Sequence, residues 1–205
     1  MLTSNCKSNI DLIIDKFIFN GKIGGTYIEC GANDGITDSI SYYFEKNYHW
    51  KGILIEPQHE LMEKCKRNRS AVNKFIEKGL GDKNIKLEMT IDVNNLDNGS
   101  FDLSEEHINE LKRLGFGKEF RKEVIDVISY PTLINRNKIK HIDLAIFDVE
   151  GYENRILRSM MKSEVLPDVL VVEYDWSSLQ ELIDIVEPKY MIYDKFKHDI
   201  IFRKI

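Results

Sequence analysis

Short apolar runs alternate with amphipathic segments along most of this 205-residue chain, and this alternation restricts the possible folds most strongly. Asp143 to Val149 (DLAIFDV) and Val169 to Tyr174 (VLVVEY) are almost continuously apolar, which is typical of parallel strands that helices cover on both faces. Between them, Asn154 to Met161 has helical periodicity. Strands that alternate with helices predict βαβ crossovers and a parallel sheet.

The remaining elements follow the same pattern. Strands are predicted at Thr26 to Cys30, Gly52 to Glu56, Val72 to Glu77 and Leu87 to Val93, and helices at Ser39 to Lys46, His59 to Arg69 and Ser178 to Val186. Two final strands, Tyr190 to Lys195 and Asp199 to Arg203, predict an antiparallel edge. We therefore expect a single Rossmann-like α/β domain over residues 1–205, with a doubly wound, mostly parallel sheet and a helical lead-in at residues 1–25.

Composition and charge exclude several classes of protein. The hydrophobic share of 42% and charged share of 31% are those of an ordinary folded domain, and no apolar stretch approaches the ~20 residues that a membrane span requires. The net charge of −5 disfavours nucleic acid, whose phosphates need a surplus of lysine and arginine. Three cysteines without metal-ligand spacing, and no secretory signal, predict a cytoplasmic protein.

One segment, Leu96 to Lys122, interrupts the alternation. It is polar and punctuated by glycines, and it contains one predicted helix, Ser104 to Leu114, with Ser104 as its cap. A long insertion between strands is usually functional or disordered, and this one would lie near the carboxyl edge of the sheet, where such folds bind ligands. It is interpreted either as a substrate lid or as a surface ornament.

The sequence ECGANDG, from Glu29 to Gly35, directly follows the first predicted strand. Gly31 lets the chain turn out of the strand, and Gly35 relieves crowding where the backbone passes close to a ligand. The pattern is not the GxGxxG of NAD- and FAD-binding proteins, and Asp34 would repel a pyrophosphate. Such an acidic loop suits a ligand with a cationic amino-acid portion, such as the methionine end of S-adenosylmethionine. The alternative is a plain strand-to-helix turn.

Glu56 ends the second predicted strand, at the place where nucleotide-binding folds hold a ribose. An acid there accepts hydrogen bonds from both ribose hydroxyls, in NAD and adenosylmethionine proteins alike, so it indicates adenosine. The alternative is a capping acid before Pro57. After the third strand, Gly79-Leu80-Gly81-Asp82 is predicted to be a loop of close approach that borders the adenine, with Gly81 and Asp82 as candidate contacts.

Three carboxylates occur within the six residues Asp148 to Glu153 (DVEGYE) at the end of a predicted strand. Grouped carboxylates need a cation, a proton or hydrogen-bond donors to hold. Asp148 and Glu150 are therefore candidates to position an acceptor hydroxyl, to take its proton, or to bind a divalent ion such as Mg²⁺ together with Glu173. Glu173 and Asp175 would form a second acidic wall. The alternative is that Glu150 and Glu153 are first-turn acids favoured by the helix dipole.

In this order, ECGANDG, GILIEP, TLINRNKIKHIDLAIFDVEGYENRIL and PDVLVVEYD resemble the FkbM family of methyltransferases from about Thr26 to the last residue. The resemblance implies a class I methyltransferase fold, S-adenosylmethionine as cofactor, and O-methylation, commonly of sugars or polyketide-type metabolites. It places Glu29, Gly31, Asn33, Asp34 and Gly35 on the methionine side, Glu56 at the ribose, and Asp148 and Glu150 facing the acceptor. Two departures are Thr132-Leu133-Ile134, where members often have TLD, and the insertion, which matches no family pattern.

Two other functions compete with this interpretation. A non-catalytic module that binds an adenosine ligand would need no acidic strand end. A nucleic-acid methyltransferase would usually show an aromatic-rich base-flipping motif and a basic surface. The DVEGYE sequence and the net charge of −5 oppose both. We therefore expect an S-adenosylmethionine-dependent O-methyltransferase that acts on a hydroxyl of a sugar, glycan or small metabolite.

Overall fold

A computed structural model describes residues 2–6, 8–96, 99–102 and 104–205. The strands are β1 (Thr26–Cys30), β2 (Lys51–Ile55), β3 (Lys74–Ile76), β4 (Gly79–Gly81), β5 (Ile85–Asp92), β6 (Gly99–Ser100), β7 (Phe120–Ser129), β8 (Leu144–Phe147), β9 (Val169–Glu173), β10 (Tyr190–Lys195) and β11 (Asp199–Lys204). The helices are α1 (Ile10–Ile14), α2 (Ile40–Tyr48), α3 (His59–Asn68), α4 (Glu105–Arg113), α5 (Tyr130–Arg136), α6 (Glu153–Met160) and α7 (Leu179–Val186), and a π-helical turn (Asp15–Phe19) follows α1. Within the described ranges, none of these helices has the length and apolar character to cross a bilayer.

Seven strands form the main sheet in the order β3-β2-β1-β8-β9-β11-β10. The first five are parallel, whereas β11 runs antiparallel between β9 and β10. This confirms the predicted α/β fold with a mostly parallel sheet and antiparallel C-terminal strands. The strand order reverses between β1 and β8, and doubly wound sheets bind ligands at the carboxyl ends of the strands on either side of such a reversal.

Both faces of the central strands of the main sheet are buried, which explains the continuous apolar runs in the sequence. Along β8, Ala145 and Phe147 pack into a core with α5, α6 and α7, whereas Leu144 and Ile146 pack into a second core with α1, α2 and α3. Successive side chains of a strand point to opposite faces, so every position of β8 is buried. The central strands are therefore fixed on both sides, and their carboxyl ends are held in place.

Four further strands form a smaller sheet in the order β4-β7-β5-β6. β7 pairs antiparallel with β5 from Ile85↔Val127 to Asp92↔Phe120, and parallel with β4. We call residues 85–129 the small-sheet segment. It contains the predicted insertion, of which residues 97, 98 and 103 lie outside the described residues. The predicted helix is present as α4, and Ser104 caps it by accepting a hydrogen bond from His107 N at 3.1 Å.

Two local predictions need correction. The predicted loop at residues 79–82 begins as a strand, because Gly79–Gly81 pairs with Val127 to Ser129 of β7. β7 itself begins at Phe120, inside the predicted insertion, and its exposed alternate side chains carry no continuous apolar run. The two corrections have different causes. β7 exposes alternate side chains to solvent, whereas β4 is fully buried but has only three residues, two of them glycines.

Candidate functional site

A cavity of about 650 Å³ opens at the carboxyl ends of β1, β2, β8 and β9. Its volume lies within the roughly 300–1,000 Å³ typical of small-molecule sites. Of the predicted site residues, those that line it are Glu29, Gly31, Asn33, Glu56, Asp148, Glu150 and Glu173. Asp34, Gly35, Gly81 and Asp82 do not belong to the lining. The structure therefore gathers the predicted ribose and acceptor residues, and only part of the predicted first loop.

Gly31 brings the first loop against the end of β8. Its φ is +85°, and a Cβ at this position would overlap the carbonyl oxygen of Asp148. The N–H groups of Gly31 and Ala32 both donate to the carbonyl oxygen of Ile55, each at 3.1 Å. Glycine is therefore required where the ends of β1, β2 and β8 meet, in agreement with the predicted sharp turn.

The carboxylate of Glu29 is held by the protein at the wall of the cavity. Glu29 is only 3% exposed, and it accepts hydrogen bonds from Ser39 Oγ at 2.7 Å and Ser41 Oγ at 2.6 Å. Arg69 Nη1 lies 3.5 Å from the same carboxylate oxygen. Glu29 thus anchors the start of α2 above the end of β1, and this keeps the first loop in place.

Asp34 and Gly35 serve the turn that leads to α2. The Asp34 carboxylate accepts hydrogen bonds from the backbone N–H groups of Ile36 and Thr37, both at 2.8 Å, and from Thr37 Oγ1 at 3.0 Å. A Cβ on Gly35 would come within 2.8 Å of Cys65 Sγ. Glycine is needed here because its φ is +83° and because the backbone packs closely against α3. The strand-to-helix turn therefore accounts for both residues.

Glu56 joins the first two strand ends. It is 4% exposed, its Oε2 accepts from Asn33 N at 3.1 Å, and its Oε1 accepts from Gln58 N at 2.9 Å. Glu56 therefore supports the start of α3 by accepting from the N–H of Gln58, although Gln58 itself is the N-cap of this helix. A carboxylate can accept roughly four hydrogen bonds, so capping and recognition of a ribose are compatible.

Gly81 and Asp82 lie beyond the part of β4 that lines the cavity, namely Gly79 and Leu80. A Cβ on Gly81 would come within 3.0 Å of the Tyr152 ring, and Asp82 Oδ2 lies 3.9 Å from Arg155 Nη1. Both residues therefore face α6.

The third residue of Thr132-Leu133-Ile134, where family members often have an aspartate, lies in the apolar core. Ile134 is on α5 and is 4% exposed, which suits an apolar side chain at this position.

Carboxylates are concentrated at the ends of β8 and β9. One oxygen each of Asp148, Glu150 and Glu173 lies within 4.8 Å of the others. Burial, together with the neighbouring carboxylates, raises the pKa of all three groups. Asp148 is exposed and lines the cavity, so a ligand in the cavity can reach its carboxylate. The cavity floor therefore carries groups that take up protons or cations readily.

The structure separates Glu153 from the other acids of the DVEGYE sequence. Glu153 begins α6 and is 1% exposed, and its carboxylate accepts from Val149 N at 2.9 Å and Ser177 Oγ at 2.8 Å. For Glu153 the first-turn interpretation is correct. Glu150 precedes the helix, with φ of +57° in the loop, so a place in the first helical turn does not account for it.

His107 of α4 lies beside this acidic floor, which the sequence did not predict. Its ring is 1% exposed and stacks on Trp176 with centroids 3.7 Å apart and an interplanar angle of 7°. His107 Nε2 is 3.6 Å from Glu150 Oε2, and burial lowers the pKa of His107 to about 4. Nearby, Ser100 Oγ donates to the carbonyl oxygen of Glu150 at 2.7 Å. The small-sheet segment therefore contacts the loop after β8 directly.

Asp175, which was predicted to form the second acidic wall with Glu173, also lines the cavity, and it pairs there with His198, which was not predicted. His198 Nδ1 is 2.6 Å from Asp175 Oδ2. The Tyr174 hydroxyl bonds to the carbonyl oxygens of Phe196 and Lys197, which fixes the turn before His198. No sequence spacing indicates this pair, because it forms only when β9 and β11 lie side by side.

Comparisons with known proteins agree with the fold and identify a family. The sequence profile of the methyltransferase FkbM domain matches residues 29–192. The crystal structure of methyltransferase FkbM from Methylobacillus flagellatus KT is similar, with a TM-score of 0.51 and 15% identity over 89% of this chain and 44% of that one. The fibrillarin pre-rRNA processing protein of Methanococcus jannaschii gives a TM-score of 0.50 at 13% identity, over 100% and 76%. At these identities the structures show the fold alone.

Because the match covers 44% of the M. flagellatus protein, this chain spans less than half the length of that protein. No curated protein matches the sequence.

Proposed function

Because the chain belongs to the FkbM methyltransferase family, we propose that it is an S-adenosylmethionine-dependent O-methyltransferase that acts on a hydroxyl of a sugar, glycan or small metabolite. The observation that carries the proposal is the cavity at the reversal of strand order. It combines the Gly31 turn, the Glu56 carboxylate and the acidic end of β8 in one space. Such a site accommodates a nucleoside-linked amino acid and an acceptor side by side.

The cavity residues fit S-adenosylmethionine. We assign the ribose hydroxyls to Glu56, the methionine portion to Gly31 and Asn33, and the adenine to the wall formed by Gly79 and Leu80. Glu29 contributes indirectly, because its hydrogen bonds to Ser39 and Ser41 hold the loop that carries Gly31. When bound, adenosylmethionine supplies an electrophilic methyl group on a sulfonium ion.

The chain's own task is then to orient and activate the acceptor. Alignment of two reactants in one cavity can supply up to ~7–11 kcal/mol of the barrier. We assign Asp148, assisted by Glu150, as the base for the acceptor hydroxyl or as a ligand of a divalent ion such as Mg²⁺. The raised pKa of Asp148 suits a base, since efficiency is greatest when the pKa lies near the working pH.

We assign the small-sheet segment to the acceptor side of the pocket. Met89, Gly99 and Phe101 of this segment line the cavity, which favours a substrate wall or lid over a surface ornament. The described lining contains eight carboxylates and one lysine. A phosphate-rich acceptor such as nucleic acid would be repelled by this surface, so we favour a neutral or cationic acceptor.

The cofactor assignment predicts selective binding of adenosylmethionine. We expect adenosylmethionine or its demethylated product to bind with micromolar-scale affinity and to raise the melting temperature, because a ligand that binds only the native state stabilises it. Titration calorimetry with NAD as the comparison ligand measures this. Tighter binding of NAD would contradict the assignment. With the active enzyme, mass spectrometry of candidate glycan and metabolite pools should reveal acceptors that gain one CH₂.

For Glu56→Ala we expect cofactor binding to weaken by about 1–3 kcal/mol, the usual loss for hydrogen bonds to a charged group. The fold should persist, because Glu56 lies at a strand end and contributes little to the apolar core. Calorimetry and the melting temperature measure the two effects. Glu77→Ala removes an exposed carboxylate after β3 and serves as the matched control. Unchanged affinity in a folded Glu56→Ala protein would leave Glu56 with its capping role alone.

A further inference from the structure

The carboxylates at the cavity floor have the spacing of a single ion site. One oxygen from each of Asp148, Glu150 and Glu173 falls within 4.8 Å of the others. Oxygen ligands lie about 2.0–2.6 Å from Mg²⁺ or Ca²⁺, so two ligands of one ion are at most about 5 Å apart. Three carboxylate oxygens at this spacing can therefore share one divalent cation.

The charges around these three groups are of one sign. The strongest charged neighbours of Asp148 are Asp199 and Glu153. Those of Glu150 and Glu173 include Asp148, and in both cases Glu153 and Asp175 follow. Glu173 Oε2 is buried and has no hydrogen-bond partner among the described residues. Among the described residues, no lysine or arginine forms an ion pair with these three carboxylates, and like charges this close are costly unless a cation or a proton balances them.

His107 provides an independent observation. Its Nε2 atom is buried, has no hydrogen-bond partner within the described part of the chain, and faces Glu150 Oε2 at 3.6 Å. The Trp176 stack holds the ring in this direction. A buried, unpaired imidazole nitrogen is unfavourable unless a further group completes its environment. His107 therefore points a buried ring nitrogen at the acidic cluster, and this nitrogen forms no hydrogen bond within the described residues.

Two other groups of potential metal ligands differ from this one in that a lysine already pairs with their carboxylates. Asp143, near His141 and Asp168, already accepts hydrogen bonds from Thr26 N and Thr26 Oγ1 and pairs with Lys22. Glu63 and Glu77, near His59, lie on the surface and pair with Lys66 at 2.7 and 3.7 Å. In both groups a lysine side chain therefore already balances part of the negative charge.

We propose that Asp148, Glu150 and Glu173 bind a divalent cation at the cavity floor, and that His107 of α4 positions Glu150 as a ligand. Three protein oxygens would leave the rest of the coordination of the ion to oxygen atoms of an acceptor or of water. Such an ion would stabilise the oxyanion of an acceptor hydroxyl, whose proton would pass to solvent in the cavity. The proposal rests on the proposed function only in that the acceptor enters this same cavity.

The test uses Mn²⁺ as the probe, titrated into the full chain without cofactor or acceptor and followed by electron paramagnetic resonance. We expect one site per chain. His107→Phe keeps the aromatic stack but removes the nitrogen, and it should weaken Mn²⁺ binding by about 10- to 100-fold, the usual range for outer partners of a ligand. Asp148→Asn and Glu173→Gln should weaken it at least as much. Glu63→Gln, in the surface group, should leave it unchanged.

Melting temperature and adenosylmethionine calorimetry on the same samples show that each variant is folded. A folded wild-type protein without a Mn²⁺ site would overturn the proposal, as would binding that is lost in Glu63→Gln and kept in Glu173→Gln. Unchanged Mn²⁺ affinity in His107→Phe would overturn the positioning role. A chain that binds adenosylmethionine but no Mn²⁺ refutes the cation site alone. A chain that binds Mn²⁺ but no adenosylmethionine refutes the proposed function alone.

Discussion

Asp148→Asn should lower turnover by roughly 10²–10⁴-fold, the range for loss of a positioned general base. The amide nearly preserves the shape of the side chain but removes its charge and its affinity for protons and cations. Cofactor affinity should change little, because we assign the ribose and methionine contacts to the ends of β1 and β2. Methyl transfer from labelled adenosylmethionine to an identified acceptor measures turnover, and calorimetry measures affinity. Asp126→Asn, an exposed acid of β7, is the control.

A chelator distinguishes the two ways in which Asp148 can act. With a cation at the cavity floor, EDTA should abolish activity and Mg²⁺ should restore it. Activity that persists in EDTA would leave Asp148 as the base. If Asp148→Asn unfolds the protein or abolishes cofactor binding, the carboxylate has a structural or cofactor-side role and the catalytic assignment is wrong.

Replacing Arg69 with methionine should cost about 3–5 kcal/mol of unfolding free energy, the loss expected when one partner of a buried ion pair is removed. The Arg69 side chain is fully buried, lies 2.7 Å from Glu45 Oε2 and 3.5 Å from Glu29 Oε2, and donates to the Tyr27 hydroxyl at 2.7 Å. Without it, Glu29 would remain as a buried, uncompensated charge. Urea denaturation measures the change.

A second substitution tests the cause. Adding Glu29→Gln to Arg69→Met should recover part of the lost stability, because it removes the uncompensated charge. Lys66→Met breaks an exposed pair with Glu63 and should leave the unfolding free energy nearly unchanged. If Arg69→Met is no more harmful than Lys66→Met, the Arg69 network does not contribute to stability as described.

The central strands of the main sheet were predictable because burial on both faces produces continuous apolar runs in the sequence. Thr26–Cys30 has the predicted bounds, and β8 and β9 lie within the predicted apolar runs. β7 has no continuous apolar run, since alternate residues such as Val124, which is 69% exposed, face solvent. Its existence depends on pairing with β5, which no local pattern reveals.

The candidate site was predictable only in part, because a residue type does not determine the direction of its side chain. Glu56 and Asp34 are both acids that follow strands, yet only Glu56 lines the cavity. The difference comes from Thr37, whose backbone and hydroxyl bind the Asp34 carboxylate within the turn. His107 shows a further limit, since its relation to Glu150 arises from tertiary packing between distant segments.

The pairing of Ile85 with Val127 has a consequence for how a chain with this fold can diverge. The small-sheet segment leaves the rest of the chain and returns to it at neighbouring positions. A stretch with adjacent ends can be exchanged for one of different length at little entropic cost, since loop closure depends only weakly on length. Under the proposed function, exchanging this stretch should change the acceptor, while the residues that we assign to the methyl donor stay in place. Chimeras joined at these two positions would test this expectation.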